Sequence, residues 1–295
     1  LKLFSTRRSI LLGAAALPLL SACAAWSGTT RADADAQRQL RLIESELDGR
    51  LGLFACATAD GRRLDYRSDE RFPLCSTFKL MLVAAILKMS EQQTGLLQQV
   101  LDYRPNQLVE YSPITAKRVD AGMSVAELCA AALQYSDNTA GNLLLNRLGG
   151  PAAVTAFART IGDRHFRLDR WETALNSGIP GDPRDTTTPA AMGDSLQRLA
   201  LGDALAPAQR EQLCVWLRGN TTGAARIKAG IPAPWTIIDK TGGGNYGTAN
   251  DIAVLWPPQR SPVAVAIYTT RREPAATARN ELIAAAARIV VDWLG

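Results

Sequence analysis

The sequence predicts an α/β (α+β) fold: an antiparallel sheet flanked by terminal helices, with an all-helical lobe inserted into it. Three observations carry this reading. Apolar runs of strand length lie near both ends of the 295-residue chain. Helix-period patterns fill the middle, and no internal repeat is visible. The length gives ample core for one large or two modest domains. Hydrophobic residues at 47% and charged residues at 21% exclude a disordered, collagenous or coiled-coil body.

Taken in order, residues 36–47 put Leu40, Leu42, Ile43 and Leu47 at helical spacing. Residues 51–57 and 62–67 read as strands joined by an Asp60-Gly61 turn, a hairpin signal. Residues 76–218 are mostly helical, interrupted by an irregular stretch at 168–188 rich in Pro, Gly, Asp and Thr. Loops this long inside compact domains are usually functional. Residues 236–239, 251–256 and 263–268 return to strand patterns, and 281–294 close the chain as a helix. The strands at the two ends are expected to share one sheet. That gives a sheet lobe over 36–67 and 217–295 and a helical lobe over 68–216, with a site between them.

Residues 1–22 read as an export signal. A basic start with adjacent Arg7 and Arg8 resembles a twin-arginine leader, and the apolar run 10–20 is too short to span a bilayer. Leu20-Ser21-Ala22-Cys23 resembles the bacterial lipobox, which makes Cys23 a candidate for lipidation; an ordinary cleaved signal is the alternative. Residues 23–35 read as a tether and 36–295 as the body. The expected location is periplasmic, with a possible lipid anchor.

Three of the five net positive charges are Lys2, Arg7 and Arg8, which leaves +2 for the remainder. That is too small for a nucleic-acid partner. The single histidine, His165, sits in a polar stretch without a nucleophile motif, so a histidine triad or a histidine zinc site is disfavoured. The five cysteines show no C-x-x-C spacing. No metal or organic cofactor is expected.

Three short motifs carry chemistry. Ser76-Thr77-Phe78-Lys79 opens a segment, residues 80–87, that is apolar all round and hence buried. Spacing of three puts Ser76 and Lys79 on one helical face. Burial and a neighbouring cation favour a neutral lysine able to accept a proton from the serine. The plainer reading is a serine N-cap followed by a snorkelling lysine. Ser136-Asp137-Asn138 precedes another helix and reads equally well as a capping cluster. Lys240-Thr241-Gly242 ends a strand and runs into Gly243 and Gly244, where a ligand can approach the backbone closely.

In this order the three motifs resemble the class A serine β-lactamases and penicillin-binding proteins. The resemblance spans about residues 36–293. Within it, Arg170-Trp171-Glu172-Thr173-Ala174-Leu175-Asn176 is similar to the omega loop of class A enzymes, and the leader, the residues around Ser76 and Tyr135 look closest to chromosomal Pen-type members. The resemblance implies an exported monomer acting on small β-lactams without cofactor. Ser76 would be the nucleophile, and Lys79 or Glu172 through water the acylation base. Backbone N–H groups of Ser76 and Gly243 would form the oxyanion hole. Ser136 would relay a proton to the lactam nitrogen. Lys240, Thr241 and Arg226 would hold the substrate carboxylate, Asn138 the side-chain amide, and Tyr111 would form a wall. Glu172 and Asn176 would activate the hydrolytic water, with Arg170 and Asp185 as the ion pair closing the loop.

Several positions depart from the family pattern. Thr173 stands where proline is common, so the loop's usual cis bond would be non-prolyl. The carboxylate-binding cation comes from Arg226 rather than from the position of Ala249. Known disulfide positions hold Cys129 opposite Val83 and Cys75 opposite Gly244, so no disulfide is expected. Two rivals share the motifs. A penicillin-binding transpeptidase or carboxypeptidase would release its acyl group slowly, against which Glu172 and Asn176 argue. A non-catalytic β-lactam sensor would need a spanning helix for its signal. The substrate spectrum is not set by these motifs.

Overall fold

A computed structural model describes Leu1 and residues 30–295; the export signal and Cys23 lie outside the described residues. Helix α1 (Arg31–Leu47) is followed by strands β1 (Gly49–Ala57), β2 (Arg63–Tyr66) and β3 (Phe72–Pro73). Then come α2 (Phe78–Ser90), β4 (Val100–Leu101), β5 (Met123–Ser124), α3 (Val125–Gln134), α4 (Asn138–Leu148) and α5 (Pro151–Thr160). After the long loop follow β6 (Thr186–Thr187), α6 (Pro189–Ala200), α7 (Pro207–Arg218) and the short α8 (Ile227–Gly230). Strands β7 (Thr236–Gly244), β8 (Thr248–Trp256) and β9 (Val263–Arg271) precede the closing helix α9 (Asn280–Leu294).

The main sheet has five antiparallel strands in the order β2-β1-β9-β8-β7, so the two ends of the chain do pair. Strand β1 is buried without a break from Leu51 to Cys56 because both of its faces are covered. Leu51, Leu53 and Ala55 pack with α1 and α9 in one core that includes Leu40, Leu47, Ile283 and Trp293. Phe54 and Cys56 point the other way, into a core with Phe72, Phe78 and the helices of the middle segment. Helix α2 is buried at every position from Phe78 to Leu87, as the all-round apolar run 80–87 requires, and Lys79 is carried in with it. Among the described residues no helix is long and apolar enough to cross a membrane.

Three boundaries differ from the sequence reading. Helix α1 starts at Arg31, inside the expected tether, because a capping box holds its first turn. Asp33 N donates to Thr30 Oγ1 at 3.1 Å and Thr30 N donates to Asp33 Oδ2 at 2.8 Å. Apolar spacing could register only from Ala36, the first buried residue of the helix. Strand β7 continues to Gly244, so Lys240, Thr241 and Gly242 lie within the strand rather than at its end. Its register with β8 runs unbroken to Gly244↔Thr248. Lastly, Ser76 caps nothing. It sits in a 3-10 turn, Cys75–Thr77, that leads straight into α2 with no side-chain cap.

The Ser-Asp-Asn cluster does cap a helix, through its middle residue. Asp137 Oδ1 accepts from Ala140 N at 2.9 Å, and Asp137 Oδ2 accepts from Ile114 N and Thr115 N at 3.0 and 2.9 Å. Thr115 Oγ1 adds a donor at 2.8 Å. This fully buried carboxylate therefore ties the start of α4 to the 109–115 loop. Asp137→Ala would leave those buried donors unmet, a loss of about 3 kcal/mol. Urea unfolding should show it as a lower midpoint with unchanged slope, whereas Asp137→Asn should lose distinctly less.

Candidate active site

Ser76 is placed where β3 ends and α2 begins, one turn before Lys79, and both are buried. Lys79 Nζ donates to Ser76 Oγ at 3.0 Å, Ser136 O at 2.8 Å and Asn138 Oδ1 at 2.6 Å. Its fourth neighbour, Glu172 Oε1, forms an ion pair at 2.9 Å. Gly141 makes room for this lysine: a Cβ there would come within 3.1 Å of Lys79 Cε. The backbone of Ser136 is left-handed, with φ +59°, which turns its carbonyl to Lys79 while its hydroxyl meets a second lysine. Lys240 Nζ donates to Ser136 Oγ at 3.1 Å and to Thr241 O at 2.8 Å. A single serine thus stands between two fully buried ammonium groups.

Glu172 approaches from the long loop. Ser76 Oγ lies 3.4 Å from Glu172 Oε1, and Asn176 Nδ2 donates to Glu172 Oε2 at 2.6 Å. The Glu172–Thr173 peptide bond is cis. Two devices hold the loop. Arg170 pairs with Asp185 at 2.5 Å, and Asp185 Oδ1 also accepts from Asp169 N and Arg170 N at 2.7 and 2.9 Å. Asn245 N donates to Asn176 O at 3.0 Å and pins the loop to the β7–β8 hairpin. Asn142 was not singled out from sequence, yet it clamps the backbone of the acid on both sides. Glu172 N donates to Asn142 Oδ1 at 3.0 Å, and Asn142 Nδ2 donates to Glu172 O at 2.9 Å. Its only sequence signal is the four-residue spacing from Asn138, which puts both on one face of α4.

The opposite wall is β7. Thr241 Oγ1 is 2.5 Å from Thr222 Oγ1, a partner that sequence reasoning also missed. Behind the strand, Arg226 Nη1 donates to Gly242 O and Asn250 O at 2.6 Å, and Arg226 Nε to Asn280 Oδ1 at 2.8 Å. Its Nη2 lies 3.7 Å from where a Gly243 Cβ would stand, close behind the open strand backbone. A cavity of about 600 Å³ is lined by Ser76, Tyr111, Ser136, Asn138, Thr222, Arg226, Thr241 and Gly243, so the three motifs meet at one opening. Tyr111 stands at its rim, 57% exposed, on a left-handed backbone with φ +62°. Asn138 N donates to Tyr111 O at 3.0 Å and Asn138 Nδ2 to Glu110 O at 2.9 Å, which fixes that rim.

Of the residues singled out from sequence, Ser76, Tyr111, Ser136, Asn138, Arg226, Thr241 and Gly243 line the cavity; Lys79, Lys240 and Glu172 bond to its serines and Asn176 to Glu172, while Arg170 and Asp185 pair within the long loop. His165 is elsewhere; it is exposed and borders a separate, smaller cleft. Cys56, Cys75, Cys129 and Cys214 are unpaired. Cys75 Sγ nevertheless lies 2.8 Å from where a Gly244 Cβ would be, so the two positions adjoin. Burial pushes the Cys75 thiol far up, so it is no nucleophile despite adjoining Ser76. No group of metal-ligating side chains occurs among the described residues.

Comparison with known proteins gives one family. A family model described as the beta-lactamase enzyme family matches residues 35–294. The chain is 54% identical over 288 residues to beta-lactamase CTX-M-25 of Escherichia coli, covering 98% of each. It is 53% identical over 291 residues to beta-lactamase OXY-1 of Klebsiella oxytoca, covering 98% of this chain and 99% of that one. A solved beta-lactamase structure from Desulfarculus baarsii is 64% identical with a TM-score of 0.88, over 89% of this chain and 98% of that chain.

Lys240 has a property that can be read directly. Burial, and then the charge of Lys79, hold its ammonium well below the ordinary lysine range. It should therefore lose its proton as pH rises while exposed lysines keep theirs. Nuclear magnetic resonance of labelled lysine side chains should find an amine titrating clearly below 10.5 that is missing from Lys240→Arg. A spectrum in which that substitution removes only an ordinary titration would contradict this.

Proposed function

The chain belongs to the β-lactamase enzyme family and hydrolyses the β-lactam amide, which confers resistance; from that premise we propose how its residues divide the work. Ser76 Oγ attacks the strained lactam carbonyl and the C–N bond breaks, leaving an ester on Ser76. Two bases are in reach of the serine proton, Lys79 Nζ at 3.0 Å and Glu172 Oε1 at 3.4 Å. The backbone N–H groups of Ser76 and Gly243 receive the oxyanion. Ser136 hands its Oγ proton to the departing lactam nitrogen and takes one back from Lys240, whose Nζ lies 3.1 Å from that oxygen; the proton taken from Ser76 balances the one delivered to nitrogen. Thr241, Lys240 and Arg226 take the substrate carboxylate, Asn138 the side-chain amide, and Tyr111 covers one side.

Deacylation is the step that makes a hydrolase. Glu172 draws a proton from water, the water oxygen bonds to the ester carbonyl, and Ser76 leaves with a proton restored to Oγ. One observation carries this reading above all. A buried carboxylate stands 3.4 Å from the nucleophile, held on its far oxygen by Asn176 at 2.6 Å. Asn176 Oδ1 is itself buried with no protein donor, so it is left to accept from the attacking water. Asn142, Arg170 and Asp185 serve by fixing where Glu172 stands. A slow-releasing penicillin-binding enzyme would have no use for such a base.

The same reading extends to location. The chain is exported and tethered through lipid on Cys23; the motifs at residues 7–8 and 20–23 support this.

The mechanism separates under one substitution. General-base assistance is worth about 10²–10⁴-fold, so Glu172→Ala should acylate, then release more slowly by at least that range. With benzylpenicillin it should give a burst near one equivalent and an adduct on Ser76 by intact mass, and Ser76→Ala should give neither. A Glu172→Ala enzyme turning over at the wild-type rate would sink this division of labour. For the anchor, native protein from bacterial membranes should carry diacylglycerol on Cys23, and Cys23→Ala should move it to the soluble fraction. An unmodified amino terminus beyond residue 23 would refute the anchor.

A further inference from the structure

The mechanism uses only Arg226 of the layer behind β7, yet two acids are buried there together. Asp239 precedes Lys240 on β7, and Asp251 lies opposite Thr241 on β8, so the two are diagonal neighbours across the antiparallel pair. Asp251 is completely buried and Asp239 is 5% exposed. The diagonal register and the shared burial place their carboxyl groups side by side behind the strand pair. Asp251 Oδ2 accepts from Ile227 N at 3.0 Å, but Asp251 Oδ1 is buried without a partner. Asp239 Oδ2 accepts from Asn220 Nδ2. The charged groups that face the pair are Arg226 just before α8, Lys228 in α8 and Lys240 in β7.

Two buried carboxylates side by side are held apart in charge state, since each disfavours the other's ionisation, and no neighbouring donor reaches Asp251 Oδ1. A proton on that oxygen resolves both problems at once. It supplies the missing hydrogen bond and removes the like-charge contact. We propose that Asp239 and Asp251 hold one shared proton in the working enzyme, carried by Asp251 Oδ1 and donated to the Asp239 carboxylate.

The geometry also says which acid carries it. Each acid faces two cations, Lys228 and Lys240 for Asp239 and Arg226 and Lys240 for Asp251, but Asp239 has a side-chain amide donor and a trace of exposure, whereas Asp251 is fully buried with a single backbone donor. Burial pushes both acids up, Asp251 well above the usual carboxylate range. The consequence reaches the cavity. Asn220, fixed by Asp239, accepts from Thr222 Oγ1 at 2.8 Å, and Thr222 touches Thr241. One negative charge rather than two therefore stands behind Thr241 and Arg226, where the substrate carboxylate is read to bind. That consequence rests on the proposed function; the shared proton does not.

The test uses the whole enzyme and reads the proton itself. A wild-type minus Asp251→Asn infrared difference spectrum at pH 7 should contain the carbonyl stretch of a protonated carboxylic acid, moved by exchange into heavy water. Asp239→Asn removes the like charge and offers an amide donor to Asp251 Oδ1, so it should lose that band. A wild-type minus Asp251→Asn spectrum without the band, or its persistence in Asp239→Asn, would overturn the proposal. Thermal melts give a second readout. An acid raised on folding binds its proton more tightly in the folded state, so this contribution fades as pH rises from the ordinary carboxylate range toward the folded value. Asp251→Asn has no such loss. Its Tm relative to wild type should climb by roughly 3 °C or more between pH 5 and pH 8, and a flat difference counts against the shared proton. The band is independent of catalysis. Its absence from an active enzyme would refute the shared proton alone, and its presence in an enzyme that ignores β-lactams would refute the carboxylate reading alone.

Discussion

The site depends on keeping one buried ammonium supplied with oxygen. Lys79 enters α2 where every neighbour on the helix is apolar, and its four oxygen partners come from three separate segments of the chain, two of them from the Ser136–Asn138 motif. They are the 3-10 turn at Ser76, the carbonyl of Ser136, the first residue of α4 at Asn138, and Glu172 on the long loop. A buried charge without partners costs several kcal/mol, so each of those segments has a strong reason to converge. The same contacts that satisfy the lysine also set nucleophile, proton relay and base at hydrogen-bonding distances. Catalytic geometry and the requirement to solvate a buried cation are one arrangement here.

That dependence explains why the supporting residues look overdetermined. Glu172 is held through its side chain by Asn176 and Lys79 and through its backbone by Asn142, while Arg170 and Asp185 close the loop that carries it. A carboxylate that must meet a water and an ester carbonyl gains from such fixing, since small displacements weaken proton transfer. The β7 side is built differently. Its cations stand on or behind a strand whose glycines leave backbone open to a ligand, and Gly178, with φ +58°, lets the loop sit within contact of Asn245 and Thr248.

Much of this was legible in the sequence because the decisive residues come as short local motifs. Ser76 and Lys79 lie a helical turn apart, and Lys240, Thr241 and Gly243 share a strand, so each motif carries its own geometry. The order of the motifs then identified the family. Strand ends were less legible. Gly242, Gly243 and Gly244 have poor strand propensity, yet pairing with β8 carries them into the sheet. The start of α1 was hidden because a cap, not apolar spacing, begins it. Asn142, Thr222, Asn220 and Asn280 were missed for a further reason. Their partners lie 30, 19, 19 and 54 residues away, and an isolated polar residue gives no sign of a partner at that distance.

The pairing of β1 with β9 bears on how such a chain reaches its native state. Leu53, in the first strand, is registered with Ile267, and Trp293 Nε1 donates to Asp33 Oδ1 at 2.7 Å across the two terminal helices. The middle strands of the sheet cannot be completed until almost the whole chain has been synthesised, while α2, α3 and α4 can meet early through short separations. Loop-closure entropy places the sheet last and makes it slow. During that interval the apolar face of β1 is without its neighbour, the condition under which chains aggregate. The adjoining ends have a second meaning. A short peptide joining α9 to α1, with the chain reopened at an exposed turn such as Asp60-Gly61, would preserve every strand register while changing only the order in which the strands are made.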